Sequence, residues 1–331
     1  MATTTPTRRE GRVDWQAWLV VGLLVAAVPL QRLLAPYLDA AVFQTWATVF
    51  LAIIVQSIPF LVLGIILSGI ISAVLSERFV SRVMPRRTAL AVPVAGVAGV
   101  ALPTCECAVV PVANGLTRRG LAPAVALTFM LAAPAINPAV LVSTAVAFSG
   151  RVDMVAARFV ASLLTAVVIG WIYVWAAARF PALRMPDLRD RLHHHDGETR
   201  LHRFVGAAWH DFLPAAGFLV LGAIVAATIN VLVPVSVVEA VADNPLLAVA
   251  ALTAFAFVIA LCSEADAFVA ASLTAFSDTA KLVFLVVGPA MDIKLAAMEA
   301  GQFGRRFAQQ FVPLVLVVAA AVASLVGWVI L

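Results

Sequence analysis

Charge is what this sequence has least of. Charged side chains make up 12% of its 331 residues, while hydrophobic ones make up 63%. A soluble chain carries roughly a quarter of its residues charged. This balance excludes the two ordinary soluble domains that the length alone would suggest. Lysine is nearly absent, with only Lys281 and Lys294. The arginines gather in short stretches between apolar runs, so the pI of about 9.4 points to no nucleic acid. It fits the loop bias of a membrane protein instead. Cysteine is scarce too: Cys105, Cys107 and Cys262, an odd number inside apolar segments, exclude a secreted disulfide framework. No Gly-x-x-x-x-Gly-Lys-Ser/Thr loop is present, which excludes a built-in ATPase of that kind. No small-x-small cleavage site follows the apolar stretch that begins at Trp15 behind Arg8, Arg9 and Arg12. That stretch reads as a retained first span rather than a signal peptide.

What the sequence has in abundance is apolar runs long enough to cross a bilayer, about 20 residues each, and a mean hydropathy of +1.04. They predict an all-α polytopic membrane protein. Spans are expected at 15–34, 43–75, 121–148, 154–178, 207–233, 282–300 and 307–331, with shorter apolar arms at 89–102, 108–116, 245–261 and 265–276. An arginine-rich linker at 179–203 carries His193, His194 and His195 beside Asp196. A His tract binds metal in some proteins; the plainer reading is a solvated connector.

The two halves repeat. Phe60–Gly64 recurs as Phe218–Gly222, Cys105 with Glu106 matches Cys262 with Glu264, and Ala133–Asn137 matches Gly288–Asp292, in the same order. Internal repeats build many transporter folds. The basic N-terminus, the Arg78–Arg87 loop and the linker all belong inside, so equivalent spans run in opposite directions. The expected organisation is an N-terminal segment and first span (1–42), repeat 1 (43–178) with a hairpin tip at 103–107, the cytoplasmic linker (179–203), and repeat 2 (204–331) with a tip at 262–266. Re-entrant or broken helices of this kind are tolerated only where protein or a water-filled cavity surrounds them. Such breaks are where transporter sites lie.

Ionisable groups inside a membrane cost about 2.5–3.5 kcal/mol or more and usually face a cavity. The candidates are Glu106 at one tip, Glu264 and Asp266 at the other, and Asp292 and Lys294 beyond it. Lys294 has a structural alternative, pairing with Asp292 or Glu264. Cys105, Cys107 and Cys262 are candidate soft-metal or metalloid ligands, or simply small packing residues near the site. Pro103, Pro111, Pro134 and Pro289 are expected to break helices, with Asn137 between Pro134 and Pro138; kinking without ligand contact is the alternative. Gln56 and Asn230 are further polar residues within spans.

Leu102–Pro111, with Gly120, Phe129 and Ala133–Pro138, resembles the YraQ/ArsP-type predicted permeases, as do Leu261–Ala270 and Gly288–Asp292. That family includes organoarsenical efflux permeases and proteins assigned to copper or zinc efflux. The likeness covers about 45–330, and its motif positions fall on Cys105, Cys107, Pro111, Pro134, Asn137, Cys262, Glu264, Asp266, Pro289 and Asp292. It implies a bacterial inner-membrane permease, neither an enzyme nor cofactor-dependent, whose partners are the lipid bilayer, a small solute and in some cases a second copy of itself. The expected activity is efflux of a thiol-reactive metalloid or soft metal, driven by proton exchange at Glu264 or Asp292. A small organic anion held by Lys294 is the alternative cargo. A thiol oxidoreductase cycling Cys105 and Cys107, and a passive channel or scaffold, are the alternatives of other classes.

Overall fold

The structure is a computed structural model and describes residues 41–74, 87–101, 106–118, 120–179, 212, 216–228 and 242–331. The expected first span, the His tract, Asn230, Pro103 and Cys105 lie outside these residues. Among the described residues every regular element is helical, as apolar runs in lipid require when each backbone group must be satisfied within its own segment. The elements are α1 (Ala41–Val74), α2 (Thr88–Ala98) with a 3-10 turn at Gly99–Ala101, α3 (Glu106–Arg118), α4 (Pro123–Ile136), α5 (Pro138–Ala147), α6 (Val152–Arg179), α7 (Ala216–Thr228), α8 (Pro245–Ile259), α9 (Ser263–Ser272), α10 (Asp278–Ala290), α11 (Ile293–Gln302) and α12 (Arg305–Ile330). Two compact units divide at Ala47 and Thr48. The described part of the first is the opening of α1, where Phe43 and Trp46 stack at 5.9 Å. The packing and the site described below concern the second.

Four described stretches are long and apolar enough to cross a membrane: Phe43–Leu63, Pro123–Ala147, Val152–Ala176 and Arg305–Ile330. Three shorter apolar helices, α2, α7 and α8, accompany them. The chain is therefore a polytopic, all-α membrane protein. The α4–α5 stretch is the most enclosed, whereas α12 leaves Val317, Leu325 and Trp328 exposed, the pattern of helices turned toward lipid. Within the core α6 packs on α4 and α12, and α10 on α12, α8 and α9. The Phe307 ring stacks on Phe311 at 4.9 Å and meets Phe303 and Tyr173 edge-on, pinning α6 to α12. Such pairs contribute about 0.5–1.5 kcal/mol each beyond their burial. At the surface, Arg151 binds Asp153 and Asp278 at 2.5 and 2.6 Å. The hydrogen bonds that Arg151 donates to these carboxylates, Asp153 first, raise its pKa further above its high ordinary value. Exposed pairs of this kind add only about 0–1 kcal/mol.

The stretches expected as single spans at 121–148 and 282–300 are each broken. Asn137 is extended (φ −68°, ψ 154°) between α4 and α5, because the ring of Pro138 disfavours the helical region for the residue before it. Asp292 is extended (φ −125°, ψ 174°) between α10 and α11. Each then caps the helix it opens: Asn137 Oδ1 accepts from the Val140 N–H at 2.9 Å, and Asp292 Oδ1 from the Leu295 N–H at 2.6 Å. Such a cap satisfies one of the orphan donors of a helix start and contributes about 0.5–2 kcal/mol. This corrects the expected role of the prolines. Pro134 and Pro289 lie inside α4 and α10, and the breaks fall beyond them. Pro111 interrupts nothing: α3 runs through it from Glu106 to Arg118, since one missing N–H removes a single helical bond and the flanking turns hold. The second turn also sits earlier than expected. It occupies Ala260–Cys262, with Ala260 in the left-handed region (φ 50°) as the C-cap of α8, so Glu264 and Asp266 belong to the first turn of α9.

Candidate functional site

The helix starts of α3, α9 and α11 converge. Glu106 opens α3, Cys262 caps α9 and Asp292 caps α11. A cavity of about 140 Å³ lies between them, lined by Gln56 of α1, Glu106, Cys107, Ala260, Cys262 and Lys294 among others. It is smaller than the roughly 300–1,000 Å³ typical of sites for drug-sized ligands. The thiols expected at the two tips therefore meet one space: Cys107 is buried and Cys262 half-buried, and neither forms a disulfide. The Cys262 thiol donates to Glu264 Oε2 at 2.5 Å. Among the described residues no group of three His, Cys, Asp or Glu side chains is gathered to hold a metal ion. The expected ligand set of Cys105, Cys107 and Cys262 is thus represented there by two thiols.

Lys294 is 4% exposed and stands between two carboxylates, 3.2 Å from Asp292 Oδ2 and 3.7 Å from Glu106 Oε2. Pairing was expected with Asp292 or Glu264: the Asp292 pair is present, the second carboxylate is Glu106 of the first tip, and Glu264 accepts from the Cys262 thiol instead. α7 comes very close to the Lys294 backbone. A Cβ on Gly222 would lie 2.8 Å from the Lys294 Cα. Asp266 is buried, with Oδ2 unpartnered. It lies against Gly288 of α10, where a Cβ would meet Oδ2 at 2.5 Å. Asn137 caps α5 and is not among the cavity-lining residues.

Four buried polar residues were not singled out from the sequence. Arg158 of α6 is fully buried, donating from Nη1 to Thr144 Oγ1 at 2.7 Å and from Nη2 to the Ser263 carbonyl at 3.0 Å. Asp266, Glu106 and Glu264 are the acids whose charges act on it. Glu299 of α11 is fully buried with neither oxygen partnered. Asn114 Nδ2 donates to Gln302 Oε1 at 3.1 Å. The signal for Arg158 was available: an arginine several residues inside an apolar span is costly and seldom idle. Glu299 and Gln302 sit at the end of an expected span, where polar residues look like the start of a loop.

Among the described residues, the fully buried ionisable set is four acids (Glu106, Asp266, Asp292 and Glu299) against two cations (Arg158 and Lys294). Uncompensated buried charge is expensive, and such groups neutralise by binding protons or pair with a cation. The arrangement is that of a multi-pass membrane transport protein with an acidic, thiol-bearing cavity among broken helices. The comparisons with known proteins agree. The chain belongs to the ArsP_1 family, described as "Predicted permease", which matches residues 42–328. It is 36% identical over 283 residues to the UPF0718 protein YcgR of Bacillus subtilis (strain 168), covering 84% of this chain and 96% of that one. It is 31% identical over 282 residues to a Streptococcus mutans serotype c protein named "Putative two-component membrane permease complex subunit", covering 83% of this chain and 92% of that one. No solved structure matches the chain. It is a membrane permease, not an enzyme.

Proposed function

We propose that this permease is a proton-coupled secondary transporter that exports a thiol-reactive metalloid or soft metal ion through the cavity between α1, α3, α9 and α11. The observation that carries the reading is that Cys107 and Cys262, from the two halves of the sequence, line one small cavity. Soft cations and trivalent metalloids prefer such sulfur donors, and a transported species needs only a few of them. The excess of buried acids over cations favours a cationic or neutral cargo and gives protons somewhere to bind. The organic-anion alternative is disfavoured, because Lys294 already faces Asp292 and Glu106.

In this reading the protein is built from two repeats of inverted topology, 43–178 and 204–331. Two features support it. The caps Asn137 and Asp292 open α5 and α11 three residues after Pro134 and Pro289. The packing is reciprocal, with α3 of the first half on α11 of the second and α9 of the second on α5 of the first. The arginine bias supports a cytoplasmic side for the N-terminus and the 179–203 linker, in keeping with a bacterial inner-membrane permease. The name of the Streptococcus mutans relative speaks of a complex; a partner subunit of this chain would copurify with it in stoichiometric amount.

The test is uptake into everted vesicles of copper(I), zinc, arsenite, methylarsenite and antimonite, repeated with Cys105→Ser, Cys107→Ser and Cys262→Ser. Uptake of one soft species that is lost in the cysteine variants supports the reading and names the cargo. Uptake of none, or uptake indifferent to all three cysteines, overturns it.

A further inference from the structure

Among the described buried acids, Glu299 stands apart. Glu106 and Asp292 are ion-paired to Lys294, and Asp266 has the charge of Arg158 acting on it. Glu299 is completely buried and both of its carboxyl oxygens lack a partner. It lies seven residues after Asp292 on α11, hence on nearly the same helix face and about 10 Å further along.

Among the described residues, the surroundings of Glu299 supply no counter-charge. The helices packed on α11 are α3 and α12, and α7 touches it at Gly222 and Phe218. The described residues of α7 include no titratable group. α12 carries Arg305 and Arg306 at its exposed start, while α3 carries Glu106 and Cys107 at its beginning and Arg118 at its last position. On α11 itself, Lys294 is engaged by Asp292 and Glu106, and Asp292 is the charge that acts on Glu299.

Along α11 the buried polar groups are spaced by apolar residues: Lys294 meets Glu106 at the cavity, Glu299 comes five residues later, and Gln302 accepts from Asn114 near the end of the helix, shortly before the exposed Arg305. Polar groups in a lipid-embedded core mark proton and ion routes.

We propose that Glu299 is the proton-carrying residue of this permease, its carboxylate taking up a proton from water and the resulting neutral acid releasing it again, at a place separate from the thiol-lined cavity. This rests on the reading of the chain as a proton-coupled permease. It moves the coupling group away from Glu264, whose carboxylate holds the Cys262 thiol, and from Asp292, which caps α11 and pairs with Lys294.

The experiment is pH-difference infrared spectroscopy on the purified full-length protein in lipid. The expected result is a carbonyl band of a protonated, buried carboxyl that titrates in wild type, disappears in Glu299→Gln, shifts in Glu299→Asp and persists in Glu264→Gln. A band unchanged in Glu299→Gln overturns the proposal; should that variant not fold, an unshifted band in Glu299→Asp does so. With methylarsenite as the probe in proteoliposomes, Glu299→Gln should retain downhill exchange and lose its response to an imposed pH gradient. An undiminished response also overturns the proposal. Failure of wild type to move methylarsenite counts against the cargo alone, since the infrared band is read without any cargo.

Discussion

Asn114 donates its side-chain Nδ2 to Gln302 Oε1 across 3.1 Å, joining residues 188 positions apart. The Glu106–Lys294 ion pair joins residues with the same separation. Equal separation at two points eight residues apart means that α3 and α11 lie side by side and run in the same direction, with about 12 Å of helix between the two contacts. One contact faces the cavity and the other closes the seam, so the position of α3 relative to Lys294 is fixed at both ends. Four expected outcomes follow from this and related geometry.

Lys294→Met should be the most destabilising change in the charged cluster. It leaves Asp292 and Glu106 buried without their cation, and breaking a buried pair by removing one partner costs about 3–5 kcal/mol. Glu106→Gln should cost much less, because Lys294 keeps Asp292 at 3.2 Å. Adding Glu106→Gln to Lys294→Met should restore part of the loss by removing one stranded charge. Melting of the detergent-purified protein, followed by tryptophan fluorescence, reads the order. A Glu106→Gln variant weaker than Lys294→Met would contradict it.

Gly222→Ala should impair transport while Gly217→Ala should not. A Cβ at position 222 would come within 2.8 Å of the Lys294 Cα, whereas one at position 217 meets nothing within 4 Å. Backbone cannot swing aside as a side-chain end can, so the larger residue must push α7 and α11 apart and shift Lys294 from its two carboxylates. Comparing the two variants at matched expression, by transport and by melting temperature, separates this from a general dislike of alanine on α7.

The two helix caps should be separable by chemistry. Asn137→Ala removes the acceptor of the Val140 N–H and should cost about 1 kcal/mol. Asn137→Asp should be nearly neutral, because the acceptor remains. At the other break, Asp292→Asn keeps an acceptor for the Leu295 N–H but withdraws one carboxylate from Lys294. It should melt close to wild type and yet transport differently, whereas Asp292→Ala should lose stability as well. Equal melting of Asp292→Asn and Asp292→Ala would show that the cap contributes little.

Arg158→Lys should behave almost as badly as Arg158→Met. The guanidinium reaches Thr144 on α5 and the Ser263 carbonyl at the head of α9 with two different nitrogens, a fork that a single ammonium does not reproduce. Losing either arm loosens α9, and with it Cys262, from α5. The measurement is the rate of maleimide labelling at Cys262, which should rise in both variants while Cys107, buried in α3, stays slow. Unchanged labelling in Arg158→Met would show that the bridge does not hold the second turn.

The sequence by itself determined the class of the molecule. Apolar runs of bilayer length, arginines gathered between them and the Pro134-Ala-Ile-Asn-Pro138 stretch follow from local chemistry, so an all-helical polytopic chain with breaks could be read from them. Asn137 before Pro138 is legible because the proline ring acts on its immediate neighbour. The intramembrane acids at 106, 264, 266 and 292 were legible because their cost in lipid is set by residue type and depth. Only the tertiary structure decided which of them meet. Lys294 takes Glu106 rather than Glu264 because α3 and α11 lie parallel, and nothing local to either segment encodes that contact. Glu299, Asn114 and Gln302 look like span-end polarity until packing buries them, and Arg158, legible as a costly intramembrane charge, finds its two partners only in the fold. The prolines misled for a related reason: Pro111 removes one backbone bond, but packing on α4 keeps α3 helical through it. Propensity and burial cost are local and readable along a chain, while the partner of a buried charge is a property of the whole fold.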